Sequence, residues 1–160
     1  MHEVDYKLIR EQAEALSEGV AWDITLYANI SALLNESLTD INWVGFYLMR
    51  DGELVLGPFQ GKPACTRIPV GKGVCGTAVQ EDRIVRVEDV HTFPGHIACD
   101  SASASEIVLP IRRDGEIIGV LDIDSPVQER FSEADEKGLA EIVKVIEGLL
   151  DGMTAGARNG

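Results

Sequence analysis

The stretch that decides the fold is residues 105–124, which read SEIVLPIRRDGEIIGVLDID. Two runs rich in apolar and β-branched residues, at about 105–112 and 116–124, flank the segment Arg113-Asp114-Gly115. Short polar segments that contain glycine connect neighbouring antiparallel strands. The sequence therefore predicts a β-hairpin here, and with it an antiparallel sheet.

The length of the turn sets which residues face one another across this hairpin. A two-residue turn places Glu106 opposite Ile123. A three-residue turn instead pairs Arg112 with Glu116 and places Glu106 opposite Asp122. We predict the three-residue turn.

Three acidic residues of the hairpin are predicted to share one face. Because side chains alternate along a strand, Glu106 lies on the same face as Asp122 and Asp124, and Ile118 joins them. Like charges that face one another destabilise a sheet, so the cluster indicates a functional role for these acids. It could bind a cation such as an α-ammonium group, or raise one carboxyl pKa until that group donates a proton near neutrality. The alternative is a solvated edge with Arg112 as counter-charge.

The rest of the sequence predicts helices at both ends of the chain around further strands. Apolar residues recur at helical spacing over about 5–18, 23–38, 74–80 and from 132 onward. Ser132 and Asp135 are spaced like a capping box at the start of the last helix. Strand patterns cover about 42–49, 53–59, 66–70 and 84–87. Since the strands are joined mainly by short segments, we predict an α+β fold, with one domain over 1–150 and a frayed tail over 151–160.

The composition limits the class of ligand and the compartment. The chain has 160 residues and a net charge of −13. So acidic a chain repels nucleic acids and anionic membranes, and we expect a neutral, zwitterionic or cationic ligand. The N-terminus lacks the apolar segment of a signal peptide, and no apolar run approaches the roughly 20 residues of a membrane span. These features predict a cytoplasmic protein.

All three cysteines, Cys65, Cys75 and Cys99, lie within one 35-residue stretch. An odd number without a signal peptide indicates reduced thiols rather than structural disulfides. Together with His96 they could hold zinc, but the spacing contains no C-x-x-C knuckle, so we predict a metal-free protein. The other interpretation is thiol redox chemistry. Cys99 lies in a polar loop, Cys65 at a loop-to-strand junction, and Cys75 in an apolar run typical of a buried cysteine.

Two further patterns have a structural and a functional interpretation. Residues 71–76 satisfy G-x-G-x-x-G, but the predicted helix after them is too short for dinucleotide binding, and we interpret the glycines as a tight turn. In the strand at 42–49, alternation places Trp43, Gly45 and Tyr47 on one face. These aromatic residues could line a ligand pocket or belong to the core.

Six segments of the chain resemble one family. They are Asn42–Tyr47, Leu56–Cys65, Ile68–Gly76, His96–Asp100, Ser105–Pro110 and Gly119–Ser125. The family is that of the free methionine-(R)-sulfoxide reductases, which are built on a GAF domain, and the resemblance covers about residues 22–150. It implies a GAF-like antiparallel sheet with helices on one face and a loop-covered ligand pocket on the other.

The resemblance also implies roles for individual residues. Cys99 aligns with the catalytic cysteine, Cys65 with the resolving cysteine and Cys75 with an accessory one. The aligned pocket acids, which bind substrate and assist proton transfer, are Glu106, Asp122 and Asp124; the aligned pocket aromatics are Trp43 and Tyr47. Free methionine sulfoxide would be the substrate and thioredoxin the reductant, with no cofactor, and homodimers are common in the family.

Two alternative functions remain open at the level of sequence. GAF domains often serve as small-molecule sensors without chemistry. A thiol redox sensor would react with peroxide but would show no preference for methionine sulfoxide.

Overall fold

The computed structural model describes residues 3–95 and 103–158, with side chains described as far as residue 153. Four helices and six strands occur within these ranges. The helices are α1 (Tyr6–Leu16), α2 (Asp23–Ser37), α3 (Gly73–Glu81) and α4 (Glu133–Arg158), and a single 3₁₀ turn covers Val90–Thr92. The strands are β1 (Trp43–Arg50), β2 (Glu53–Gly61), β3 (Arg67–Pro69), β4 (Val85–Val87), β5 (Ser105–Arg113) and β6 (Glu116–Ser125).

The six strands form one sheet in the order β3-β2-β1-β6-β5-β4. Every pair of neighbouring strands is antiparallel. The predicted α+β fold with an antiparallel sheet is therefore confirmed. β1 and β6 occupy the centre of the sheet, so their side chains on either face are covered by other elements.

The predicted register of the β5–β6 hairpin is wrong. The turn has two residues, Asp114 and Gly115, both with positive φ (52° and 80°), and Arg113 pairs with Glu116. Two residues with positive φ give a turn whose twist matches that of the strands. Further along the hairpin the register shifts by one residue, so that Glu106 faces Asp124.

This shift comes from a β-bulge next to the turn. Ile111 pairs with Gly119 while Arg112 pairs with Ile117, which leaves Ile118 as the extra residue. Ile118 consequently packs on the helical face of the sheet, and its predicted place beside the acids is wrong. The bulge restores the alternation beyond it, so Asp122 and Asp124 still share the face of Glu106.

Helices α1, α2 and α4 cover one face of the sheet and form the main core with it. The strands contribute Val44, Phe46, Ile107, Leu109, Ile111, Leu121 and Ile123, all of them almost fully buried. Tyr6 of α1 donates a hydrogen bond of 2.6 Å to Asp135 of α4. The capping box is confirmed, because Asp135 N donates to Ser132 Oγ (3.2 Å) and Ser132 N to Asp135 Oδ2 (2.9 Å).

The second face of the sheet carries its own apolar cluster under α3. Val74, Cys75 and Ala78 of this short helix pack against strand residues that include Val108 and Val120. The family resemblance implies helices on one face, where α1, α2 and α4 lie, and the structure adds α3 on the second face. Its apolar residues recur at helical spacing, so it must bury one side, and the Gly-rich segment before it turns the chain onto this face.

Helix α4 continues to Arg158, and thus includes most of the segment 151–160 for which we predict fraying. Among the described residues, no helix is both long enough and apolar enough to cross a membrane.

Candidate active site

The acids predicted to act together lie side by side on the second face of the sheet. Glu106 of β5 faces Asp124 of β6, and Asp122 faces Val108 next to them. On the other side of β6, Trp43 pairs with Asp124 and Gly45 with Asp122. Strand pairing alone therefore brings three carboxyl groups and the aromatic residues of β1 to one region.

Burial changes the protonation of two of these acids, Glu106 and Asp122. Glu106 and Asp122 are only 7% and 5% exposed. Burial raises the pKa of Glu106 well above its ordinary value, and Asp122 and Asp124 raise it further. The pKa of Asp122 is also raised by burial, although hydrogen bonds with Glu106 and Cys75 oppose this. A carboxyl in such surroundings holds its proton at a pH where an exposed one has lost it.

The alternative of a solvated edge balanced by Arg112 is wrong. Arg112 forms a salt bridge with Asp82 at the end of α3, with 2.5 Å between Nη2 and Oδ1. Its backbone N–H donates to Glu147 of α4. Arg112 therefore does not balance the charge of the buried acids. Within the described ranges, Asp122 Oδ1 is buried without a hydrogen-bond partner. Such an atom is costly unless a ligand pairs with it.

Cys75 belongs to the acid cluster. It lies in the first turn of α3, is 3% exposed, and one ligand atom each from Cys75, Glu106 and Asp122 fall within 4.8 Å of one another. Burial raises the pKa of its thiol, and the nearby carboxylates raise it further. Cys75 therefore stays a protonated thiol, which is a poor nucleophile.

The same three groups form a set that could hold a metal ion. It differs from the zinc set considered from the sequence, which combines Cys75 with Cys65, Cys99 and His96. That the protein is free of metal stays a prediction.

Aromatic rings form a continuous wall beside the acids. Trp43 is stacked between Phe59 and Tyr47, with ring centroids 5.1 and 5.8 Å away. Trp43 Nε1 donates to Lys62 O (3.1 Å) and Tyr47 Oη to Cys65 O (2.8 Å). The sequence leaves open whether Trp43 and Tyr47 belong to a core or to a pocket. The structure buries both in the apolar cluster of the second face, with Trp43 paired to Asp124, and their role in a ligand pocket stays a prediction.

Phe59 completes this wall and is not among the residues singled out from the sequence. It pairs with Gly45, and a Cβ atom at Gly45 would overlap its side chain. A glycine inside a strand signals such a close approach. Gly45 between Trp43 and Tyr47 was therefore the signal for an additional residue on this face.

The two cysteines of the described residues differ in their state. Cys65 is disulfide-bonded, whereas Cys75 is the free cysteine of the described residues. Cys99 and His96 lie outside the described residues, so the catalytic role predicted for Cys99 stays a prediction.

Comparison with known proteins shows the family to which the chain belongs. The GAF domain profile matches residues 24–150. The free methionine-R-sulfoxide reductase of Escherichia coli is 58% identical over 145 residues, which are 91% of this chain and 88% of the relative. The chain belongs to the free methionine-R-sulfoxide reductase family of GAF-domain proteins. The predicted resemblance is confirmed.

Solved structures of this reductase family have the same fold. The Staphylococcus aureus fRMsr in complex with substrate superposes with a TM-score of 0.90 at 55% identity, covering 94% of this chain and 98% of that one. The Neisseria meningitidis free methionine-R-sulfoxide reductase in complex with its substrate gives a TM-score of 0.91 at 41% identity, covering 98% and 99%. The GAF-like fold is therefore confirmed.

Proposed function

We propose that the protein reduces free L-methionine (R)-sulfoxide to methionine. The observation that carries this proposal is the cluster of Glu106, Asp122 and Asp124 beside an aromatic wall, in which the buried Glu106 and Asp122 have raised pKa values. The relatives named as free methionine-R-sulfoxide reductases support the substrate, and two family structures are complexes with substrate.

Substrate recognition follows from the charges of the site. The α-ammonium group of a free amino acid would pair with Asp122 and Asp124, and the unpaired Asp122 Oδ1 offers it a buried acceptor. A sulfoxide inside a peptide has no such ammonium group. Trp43 and Tyr47 would contact the apolar part of the methionine side chain.

The chemistry requires a nucleophile at sulfur and a proton at oxygen. We assign the nucleophile to the Cys99 thiolate and the proton to Glu106, the acid with the strongly raised pKa. Sulfur gains the electron pair of Cys99 while the S–O oxygen passes to the cysteine. Methionine leaves, and Cys99 becomes a sulfenic acid.

A second thiol completes the cycle. Cys65 would condense with the sulfenic acid, forming a disulfide and releasing water. The disulfide-bonded state of Cys65 and the free state of Cys75 support this assignment. Cys75 then has an accessory role. Thioredoxin or another dithiol would reduce the disulfide, and the cycle balances with thiols alone, without a cofactor. A homodimer and a cytoplasmic location remain part of this proposal.

The deciding experiment measures methionine formed from the separated R and S epimers of free methionine sulfoxide, with dithiothreitol as reductant. We expect turnover of the R epimer and little of the S epimer. N-acetylated methionine sulfoxide serves as the control for recognition of the amino group, and it should be a poor substrate. Oxidation of the cysteines by peroxide without turnover of either epimer would instead support a redox sensor, and binding without any turnover a ligand sensor.

A further inference from the structure

We propose that Trp43 and Tyr47 are positioning residues that hold the segment 62–65, and thereby the Cys65 thiol, in place for disulfide formation. We call the two side chains the aromatic clamp. The inference rests on the proposed role of Cys65 as the resolving cysteine. It assigns to the two aromatic residues a task other than contact with substrate.

The first support is the pair of hydrogen bonds that the clamp makes. Trp43 and Tyr47 lie on the same face of β1, and both donate to backbone carbonyls of one segment. Trp43 Nε1 reaches Lys62 O at 3.1 Å, and Tyr47 Oη reaches Cys65 O at 2.8 Å. The clamp thus holds both ends of a four-residue segment.

The path of the chain explains why this segment depends on side chains. β2 ends at Gly61, whose φ of +140° leaves the strand in a conformation that favours glycine. A Cβ atom there would come within 2.6 Å of Trp43 Cδ1. The sheet holds the backbone again at Thr66, whose carbonyl accepts from Leu56 N at 3.0 Å. Between these two points, the clamp supplies the hydrogen bonds just described.

The clamp itself is buried and closely packed. Trp43 and Tyr47 are only 3% and 2% exposed, and Trp43 is stacked on both sides by rings. Burial and the neighbouring Asp122 raise the pKa of Tyr47, so its hydroxyl keeps the proton that it donates. Buried donors with fixed rings restrict the positions that the acceptor carbonyls can adopt.

This restriction matters for the second chemical step. Condensation of Cys65 with a sulfenic acid is intramolecular, and its rate depends on how often the two sulfur atoms meet in the correct geometry. Cys65 is disulfide-bonded while both clamp hydrogen bonds are present. The position of the segment held by the clamp is therefore compatible with the disulfide. Loss of a clamp hydrogen bond lets the segment leave this position.

The test separates disulfide formation from substrate binding. The reduced full-length protein is oxidised with one equivalent of hydrogen peroxide. This forms the sulfenic acid proposed for Cys99 without the use of methionine sulfoxide. Formation of the disulfide is followed by rapid alkylation and mass spectrometry. Tyr47→Phe should form the disulfide about five- to tenfold more slowly than wild type, the effect of one lost hydrogen bond to the partly buried carbonyl of Cys65. Trp43→Phe removes the other donor and should also slow closure.

Tyr27→Phe is the matched control. Tyr27 is a buried tyrosine on the opposite face, in contact with Phe46. Its loss of a hydroxyl should leave closure at the wild-type rate. A rate of disulfide formation that is unchanged or faster in Tyr47→Phe and Trp43→Phe would overturn the inference. If Tyr47→Phe does not fold, by circular dichroism, Trp43→Phe decides alone.

The same experiment distinguishes this inference from the proposed function. Slow closure in the clamp variants supports the clamp even if the wild type fails to reduce methionine sulfoxide, which would refute only the substrate. A wild type that reduces the sulfoxide but closes a Cys65 disulfide no faster than Tyr47→Phe supports the function and overturns the clamp.

Discussion

The two faces of the sheet are built by the same strands but hold opposite chemistry. In β6, Leu121 and Ile123 point into the core under α1, α2 and α4, whereas Asp122 and Asp124 point to the other face. Both faces are buried at the centre of the sheet. The difference shows that burial alone does not determine a core, because what lies opposite each face decides whether polar groups are tolerated there.

The two faces also contribute differently to stability. Burial of apolar side chains on the helical face stabilises the fold. Burial of Glu106 and Asp122 costs free energy, since each carboxyl must stay protonated or find a partner. A cost of this kind is expected where the acids serve a function rather than stability. Mutations on the two faces should therefore have separable effects, and four predictions test this.

The largest effect is expected from the cysteines. Cys99→Ser should abolish methionine formation even in a single turnover, because it removes the proposed nucleophile. Cys65→Ser should still release about one methionine per enzyme, since reduction precedes resolution. Cys75→Ser, the control, should stay largely active, because the buried thiol is not ionised. Single-turnover release of methionine with mass spectrometry of the enzyme measures this; a full equivalent from Cys99→Ser and none from Cys65→Ser would reverse the assignment.

The next effect concerns the acids on the second face of the sheet. Glu106→Gln should lower kcat about 100-fold or more, because an amide cannot supply the proton of a carboxylic acid. Wild-type activity should fall as pH rises through the raised pKa of Glu106, which then loses that proton. Asp122→Asn should raise KM through lost pairing with the ammonium group. Glu116→Gln, on the exposed end of β6, is the control; steady-state kinetics that show no difference between it and Glu106→Gln would exclude Glu106 as proton donor.

A smaller effect is expected from the helical face. Leu121→Ala removes a fully buried side chain and should lower the free energy of unfolding by about 2–5 kcal/mol. The pH profile of the remaining activity should keep its shape, because Leu121 faces away from the acids. Urea denaturation and kinetics on the same preparation measure both quantities. A shifted pH profile would show that the two faces are not independent.

The smallest effect is a gain in stability. The pKa of Glu106 is higher in the folded than in the unfolded protein, so its contribution to stability is greatest at low pH and is lost as pH rises. Glu106→Gln does not ionise, and its Tm should exceed that of wild type at neutral and alkaline pH. The difference should vanish near pH 4. Thermal melts across this range measure it, and an equal Tm at every pH would mean that the buried carboxyl costs nothing.

The hairpin shows how far the sequence leads. Alternation along β6 predicts that Asp122 and Asp124 share a face, and the predicted three-residue turn adds Glu106 to it; the structure has all three there through a different pairing. The pairing was predicted wrongly because the turn has two residues and the bulge at Ile118 adds one. Both choices depend on local backbone geometry and on the packing of Ile118 against the helical core. The polar and apolar pattern of the sequence is compatible with the predicted register and with the observed one.

The sequence by itself determined the elements of the fold, the family and the set of chemical groups. Those follow from periodicity, turn residues and motifs, which are local properties of the chain. Only the tertiary structure decided that α3 packs on the second face of the sheet, that Cys75 joins Glu106 and Asp122, and that Tyr47 donates a hydrogen bond to Cys65. These contacts join residues far apart in the chain, and they arise because strand order and helix packing bring distant segments together.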